Sequence, residues 1–373
     1  MAWFVLSFLI VYSAMHAVVL RGVYPLLTGH PFLPALAGLW MAAMVVSPIL
    51  VRLLDGAGHE QTARAVAWIG YGWMGLLFLA FCLFAILQAL DLLALALGRA
   101  LPALSGLTLR TATSAAACLL VTSAVGIYGF FEAANLRVET VRLTTEKLPP
   151  GIDELRIAQV SDLHLGLVHR DEALAPVISA VRELEPDLLV ASGDIVDAQM
   201  DHLEALTALW QRLDLPLGKF AVTGNHEYYA GLEQGLDFLV RSGFTVLRNE
   251  AVTVADTLVV AGVDDPAGSR TPDDAAVLGP ADTGTLFTVL LKHRPWVSET
   301  ATGLFDLQLS GHTHRGQIFP FHFFVRKAYP YFAGLYPLSN GAHLYVSRGT
   351  GTWGPPMRVL APPEVTLFVI ARP

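Results

Sequence analysis

Four long apolar runs, all within the first 135 residues, constrain this chain more than any other feature. Residues 3–20, 31–51 and 111–131 carry no charge, and 65–97 is interrupted only by Gln88 and Asp91. A helix needs roughly 20 apolar residues to cross the hydrocarbon core of a bilayer. The runs therefore predict four transmembrane α-helices at about those positions. No basic stretch precedes the first run and three more follow it, which argues against a cleaved signal peptide. Asp91 is expected near the end of its span, where the ionised carboxylate reaches water.

The rest of the chain is a different material. Residues 1–150 hold eight Lys/Arg and six Asp/Glu, whereas 151–373 hold sixteen and twenty-six. The halves thus carry net charges of +2 and −10. The boundary falls near Pro149-Pro150-Gly151, giving a membrane domain over 1–135, a linker over 136–152 and a second domain over 153–373. An acidic second half argues against a nucleic-acid backbone as the main partner, since that needs clustered Lys/Arg. Both cysteines, Cys82 and Cys118, lie in the apolar part, so the second domain has neither a disulfide framework nor a thiolate metal site. Four spans put the N-terminus and the second domain on the same side. Arg52, Arg64, Arg137, Arg142 and Lys147 flank that side, against Arg21, Arg99 and Arg110 on the other. The excess of basic residues leans toward a cytoplasmic second domain in a multi-pass membrane protein.

Within that domain, apolar strand patterns at 155–160, 187–191 and 220–223 alternate with helical patterns at 172–184, 201–213 and 232–240. Strand alternating with helix is the α/β pattern. Beyond Gly243 the chain turns β-rich, with strands expected at 244–247, 251–254, 258–263, 286–292, 305–309, 343–346 and 365–370.

Polar clusters follow several of these strands. Ser161-Asp162-Leu163-His164 follows the first, Gly193-Asp194-Ile195-Val196-Asp197 the second, and Gly224-Asn225-His226-Glu227 the third. Lys292-His293-Arg294 and Gly311-His312-Thr313-His314 follow two of the later ones. Asp162 to Asp194 and Asp194 to Asn225 are separated by 32 and 31 residues, each close to one βαβ unit. Open α/β sheets build their sites at the carboxyl ends of strands. His312 and His314 stand two apart, and side chains two apart in an extended segment share a face. Both rings are therefore expected to converge on one spot.

Setting His226 aside, the set is Asp162, His164, Asp194, Asn225, His293, His312 and His314. Oxygen and nitrogen donors without sulfur suit Mn, Fe, Zn or similar divalent ions. Seven donors exceed the needs of one tetrahedral ion with an open position. They match two ions roughly 3.5–4 Å apart that share a carboxylate, clamp a phosphoryl group and make hydroxide available near neutral pH.

These five motifs, in this order, resemble those of the calcineurin-like metallophosphoesterases over about residues 153–370. A finer likeness is to the membrane-associated subgroup that includes UDP-2,3-diacylglucosamine pyrophosphatases and related phosphodiesterases. The resemblance implies a four-layer αββα sandwich behind the four transmembrane helices. It implies two divalent metal ions, with Mn as the expected metal and Fe or Zn as alternatives. Asp162, His164 and His314 would bind one ion and Asn225, His293 and His312 the other, with Asp194 bridging. His226 would be the catalytic histidine, stabilising the transition state or protonating the leaving oxygen. Asp197 would orient it or a ligand. His169, in Gly166-Leu167-Val168-His169, departs from the pattern and is expected on the surface or the substrate side.

Arg348 and Arg358 are candidate phosphate contacts, because Arg forks suit phosphate oxygens. Asp264 and Asp265 follow a strand and could face the site or form a plain turn. Residues 318–338 hold eight Phe and Tyr residues together with Arg326 and Lys327, a composition suited to a membrane interface or to a buried insertion. The expected protein is thus a membrane-anchored phosphohydrolase cleaving a phosphodiester or pyrophosphate, with a lipid or nucleotide-lipid as substrate. The alternatives are a phosphodiesterase or phosphomonoesterase on soluble substrates and, in another class, a non-catalytic metal-binding membrane scaffold.

Overall fold

All four apolar runs are helical, and each helix outlasts the run that marks it. The computed structural model describes residues 2–98, 100–101, 108–197, 203–268 and 273–373. The helices are α1 (Ala2–Leu27), α2 (Leu33–Gly56), α3 (Glu60–Leu97) and α4 (Ala112–Ala134). All four are long and apolar enough to cross a membrane. At 38 residues, α3 is about 57 Å long, well beyond the hydrocarbon thickness. The helices exchange part-buried hydrogen bonds: Trp73 Nε1 donates to His16 Nε2 at 3.0 Å, and Gln88 Nε2 to the Val18 carbonyl at 3.0 Å. Such bonds help to join helices in lipid, where apolar burial gives no preference for helix over acyl chain. Asp91 sits two turns from the end of α3 and pairs with Arg110 at 2.9 Å. Of the charges used for orientation, Arg21 lies inside α1 and not beyond its end; Arg99 lies outside the described residues.

The chain divides into two compact units, residues 1–131 with 354–357, and residues 132–353 with 358–373. The second begins with β1 (Arg137–Thr144), a strand where a linker was expected. Then follow β2 (Glu154–Val160), α5 (Asp171–Glu183), β3 (Leu188–Ala191), α6 (Glu204–Gln211), β4 (Lys219–Ala221), α7 (Asn225–Ala230), α8 (Leu232–Arg241), β5 (Thr245–Val246), β6 (Glu250–Val254) and β7 (Leu258–Val263). The chain ends with α9 (Asp274–Leu278), β8 (Phe287–Lys292), β9 (Leu307–Ser310), α10 (His322–Ala328), β10 (Gly334–Pro337), β11 (His343–Val346) and β12 (Glu364–Ala371). The start expected for α6, at Asp201, lies outside the described residues. The short elements α7, α9, α10 and β10 were not anticipated. They are too brief to show a period.

The strands form two six-stranded sheets, ordered β1-β12-β2-β3-β4-β5 and β10-β11-β9-β8-β7-β6. Strand β2 shows why they stack. Leu155 and Ile157 join the apolar core between the sheets, while Ala158 and Val160 face the core under the helices. With both faces buried, its run is apolar rather than alternating. Leu174, Val177 and Val181 of α5, Leu206 and Trp210 of α6, and Phe238 and Leu239 of α8 cover the first sheet. The outer face of the second sheet is closed by a smaller core containing Val277 and Leu278 of α9 with Ala261, Val263 and Leu290. The result is the expected αββα sandwich with a thin fourth layer. Strands β2, β3 and β4 are parallel, as are β7, β8, β9 and β11. Their carboxyl ends carry the motifs.

Candidate metal centre

Each polar motif begins where a strand stops, and in three of the five the backbone there turns left-handed. Asp162 (φ 53°), His164 (φ 51°), Asp194 (φ 52°), His312 (φ 70°) and His314 (φ 46°) all have positive φ. That region is unfavourable for side chains with a Cβ and clusters at functional sites. It also corrects the expectation for His312 and His314. They follow β9 in a turn, not in extended backbone, and their rings diverge. His312 Nδ1 lies 3.2 Å from His293 Nε2, whereas His314 Nε2 lies 3.1 Å from His164 Nε2.

The motifs are tied to one another through backbone groups. Asp162 N–H donates to the Gly193 carbonyl at 3.0 Å, and His164 N–H to the Asp194 carbonyl at 3.1 Å. His312 N–H donates to the Asp162 carboxylate at 3.0 Å, and His226 N–H to Asp194 Oδ1 at 2.8 Å. The motif glycines make this approach feasible. A Cβ on Gly224 would strike the Asp194 carboxylate, and one on Gly311 would strike Ser161 and Asp162. Glu227 is fully buried and accepts N–H bonds from Gly224, Asp194 and Ile195 at 2.6, 3.0 and 2.8 Å. One carboxylate thereby pins both the Asp194 and the Asn225 loops.

Among the described residues, three groups of donor atoms each gather within 4.8 Å: Asp162, His164 and His314; His164, Asp194 and His226; and Asp194, His293 and His312. Asp194 Oδ2 lies 3.0 Å from His293 Nε2 and 4.0 Å from His164 Nε2. Burial opposes ionisation of Asp162 and Asp194, yet His314 beside the first and His293 beside the second hold both carboxyls below the usual range. Burial and the charge of His226 push His164 down to about 3, and burial with His293 does the same to His312. For His293 the Asp194 carboxylate overcomes burial and raises the imidazole to about 10. Burial and Asp194 raise Glu227 to about 7.

This arrangement fits divalent cations. Asn225 Oδ1 and His164 Nδ1 are buried without a hydrogen-bond partner among the described residues, which natively folded chains rarely tolerate. Two pairs of imidazole nitrogens face each other at hydrogen-bond distance, a geometry that a cation between lone pairs would satisfy. Second partners set which nitrogens are available. The Ser192 carbonyl accepts from His293 Nδ1–H at 2.9 Å, which leaves Nε2 pointing into the cluster. Tyr329 Oη lies 2.7 Å from His312 Nε2, so Nδ1 faces His293. Asp197 Oδ1 accepts from His226 Nδ1–H at 2.8 Å, leaving His226 Nε2 for chemistry. Burial lowers the pKa of His226, but Asp194 and Asp197 outweigh it and the net shift is upward.

The remaining candidates lie elsewhere. Arg358 is wholly buried behind His314, 3.3 Å from its Nδ1, and its other N–H groups serve the carbonyls of Gly349, Arg348, Ala361 and Gly351. It stands as a support for His314, sealed from any substrate. Arg348 is occupied by Glu139 and Glu364, both at 2.6 Å. His169 is half-buried and bonded to Thr352 Oγ1 at 2.8 Å. Asp264 binds Arg248 and Asp265 binds Arg294, each pair at 2.8 Å, so neither carboxylate is open to the cluster.

Four residues beside the cluster were missed as contacts: Glu227, Tyr229, Tyr329 and Trp353. The rings of Tyr229 and Trp353 meet His226 edge-on at 5.3 and 5.7 Å and are 62% and 52% exposed. Glu227 and Tyr229 stand inside or beside the Asn225-His226 motif, which is a usable signal. Tyr329 and Trp353 reach the site only through folding.

Comparison with known proteins agrees with this geometry. The calcineurin-like phosphoesterase family profile matches residues 155–316. A protein of Aquifex aeolicus described as an uncharacterized metallophosphoesterase is 45% identical over 252 residues, covering 66% of this chain and 96% of that protein. Proteins described as transmembrane protein with metallophosphoesterase domain are similar in Bos taurus and in Danio rerio. The first is 32% identical over 81% of this chain and 73% of its own length, the second 33% over 68% and 62%. A buried Asp/His/Asn donor set at the strand ends, together with these relatives, establishes that the chain belongs to the calcineurin-like phosphoesterases, metal-dependent hydrolases of phosphate esters.

Proposed function

We propose that the protein is a membrane-anchored phosphohydrolase with a binuclear metal centre, acting on a phosphodiester or pyrophosphate of a lipid or nucleotide-lipid. The observation that carries this reading is Asp194, whose Oδ2 reaches toward both His293 and His164. A single carboxylate serving two donor groups is what two adjacent ions require. Asp162, His164 and His314 would hold one ion, and Asn225, His293 and His312 the other, with Asp194 shared. Donors of this type suit Mn, with Fe or Zn as alternatives. When bound, the ions supply Lewis acidity toward the phosphoryl oxygens and an activated water.

His226 is the proton donor in this reading. Asp197 fixes its Nδ1–H, so the Nε2 proton is the one delivered to the departing oxygen. Asp194 and Asp197 shift the His226 pKa upward, which favours the protonated ring that a proton donor needs. Tyr229 and Trp353 flank the ring and offer an aromatic wall to the organic group that leaves. The lipid assignment rests on the four bilayer-length helices in the same chain, which confine the catalytic unit to a membrane surface, taken here as the cytoplasmic one.

The full-length protein should bind two equivalents of Mn²⁺ by elemental analysis and hydrolyse bis(p-nitrophenyl) phosphate. Asp194→Ala should lose metal and activity together, and His226→Ala should keep metal and lose activity by about 10²–10⁴-fold. One equivalent of metal in the active enzyme would reject the binuclear reading. Wild-type protein that binds metal but hydrolyses no phosphate ester would favour the scaffold alternative. Lipid extracts as substrates separate a lipid from a soluble ester, and protease accessibility in sealed vesicles decides the face.

A further inference from the structure

The aromatic stretch after His314 is a surface and not a buried insertion. Phe319, Phe321, Phe323 and Phe324 are 40%, 47%, 62% and 67% exposed. Their rings form one patch on and around α10: Phe319 lies 5.9 Å from Phe323 and 4.9 Å from His322, and Phe321 lies 5.8 Å from Phe324. A contiguous exposed apolar patch of this kind marks an interaction site.

Charge identifies the partner. Residues 151–373 carry twenty-six Asp/Glu, yet 307–363 contain none, and five Lys/Arg. Three of those five, Arg315, Arg326 and Lys327, are exposed within a dozen residues of the patch. Neither Arg315 nor Arg326 pairs with a carboxylate among the described residues. A cavity of about 590 Å³ opens between them, walled by Phe319, Phe332 and Tyr336 and edged by His322. Glu364 also lines it but is paired with Arg348, which leaves Arg315 and Arg326 beside an aromatic wall, as a phosphate headgroup with an apolar continuation requires. Exposed aromatics beside basic side chains match the interfacial layer of an anionic bilayer. The chain also carries four helices of bilayer-crossing length, which keeps such a surface in reach. The patch is firmly mounted: Thr313 Oγ1 donates to the Phe332 carbonyl at 2.8 Å, and Tyr329 holds His312.

We propose that residues 315–327 are a membrane-docking surface, in which Phe321, Phe323 and Phe324 enter the interfacial layer of an anionic bilayer while Arg315, Arg326 and Lys327 bind its headgroup phosphates. The surface does not depend on the hydrolase reading. It would hold the metal cluster at the height of the phosphate layer, because Thr313 and His312 anchor both.

The test uses the full-length protein in proteoliposomes, with Cys82→Ser, Cys118→Ser and Phe324→Cys, the last labelled with an environment-sensitive NBD fluorophore. With phosphatidylglycerol in the bilayer, the emission should shift to the blue and be quenched by nitroxide-labelled lipid. With phosphatidylcholine alone, or after Arg315→Gln, Arg326→Gln and Lys327→Gln together, the quenching should fall several-fold. Emission typical of water in both lipids overturns the proposal. So does quenching that ignores both the anionic lipid and the Gln changes. Shielding that grows with protein concentration in detergent also overturns it, in favour of a second copy of the chain. Hydrolysis of bis(p-nitrophenyl) phosphate is measured on the same samples. An active protein with an aqueous probe rejects docking alone, and an inactive protein with an inserted probe rejects the hydrolase reading alone.

Discussion

Tyr329 Oη lies 2.7 Å from His312 Nε2, and this one contact decides which nitrogen of His312 faces the metal cluster. Imidazole has two nitrogens, and a partner on one leaves the other for a cation. Tyr329→Phe removes the partner and keeps the ring. Metal affinity should fall by about 10-fold, measured by competition with a chromogenic chelator, while the melting curve of the metal-free protein stays in place. An unchanged affinity would mean that packing alone orients His312.

Asp197 should act through His226 and not on the substrate. Its carboxylate accepts the Nδ1–H of His226 at 2.8 Å and contributes to the raised pKa. If His226 must be protonated to release the leaving oxygen, activity declines as pH rises through its pKa. Asp197→Asn removes a negative charge, lowers that pKa and moves the alkaline limb of the kcat profile to lower pH. A profile displaced to higher pH, or not at all, would contradict the role.

Gly224 is a matter of space. It has φ −99°, which any residue adopts, but a Cβ there would overlap the Asp194 carboxylate. Gly224→Ala should therefore displace Asp194 and cut kcat by roughly 100-fold. Stability should fall by about 1–3 kcal/mol, the usual effect of overpacking. Retention of full activity would mean that the Asn225 loop yields without moving Asp194.

The metal-free protein should be most stable near pH 6.5. His164 and His312 hold their pKa near 3 in the folded state against 6.5 unfolded, so between these values the unfolded chain binds two protons that the folded chain lacks. Glu227, raised from 4.5 to about 7, offsets one of them. Stability thus rises with pH up to 6.5. Above it the sign reverses, because His293 keeps its proton to about 10 when folded and releases it near 6.5 when unfolded. Each net proton corresponds to about 1.4 kcal/mol per pH unit. Thermal melts of chelator-treated protein from pH 5 to 9 check this, and a steady rise across that range would refute it. Saturating metal should remove the decline above pH 6.5, because metal ligands bind deprotonated.

The residues of the cluster were readable in the chain because strand ends are local. Apolar runs at 155–160 and 187–191 stop at Asp162 and Asp194, and the glycines of Gly193-Asp194 and Gly311-His312 flag backbone that must pass close to something. What they pass close to is not local. Arg348 and Arg358 looked alike as phosphate contacts, yet the first meets Glu139 and Glu364 and the second is sealed under His314. The residues of β1 read as a linker because they are mostly polar, and five of the eight are exposed. Their strand exists through pairing with β12, more than 220 residues later.

By itself, then, the sequence determined the division into an apolar and an acidic part, the α/β order and which polar side chains stand at the strand ends. Each follows from hydrophobic period, chain length and side-chain chemistry, which act over a few residues. The tertiary structure alone decided which nitrogen each imidazole presents, which arginines are buried, and that the Phe319–Phe324 patch faces outward. Those outcomes depend on which distant segments pack together, as when Tyr329 returns to His312 and Glu227 closes on the Asp194 loop.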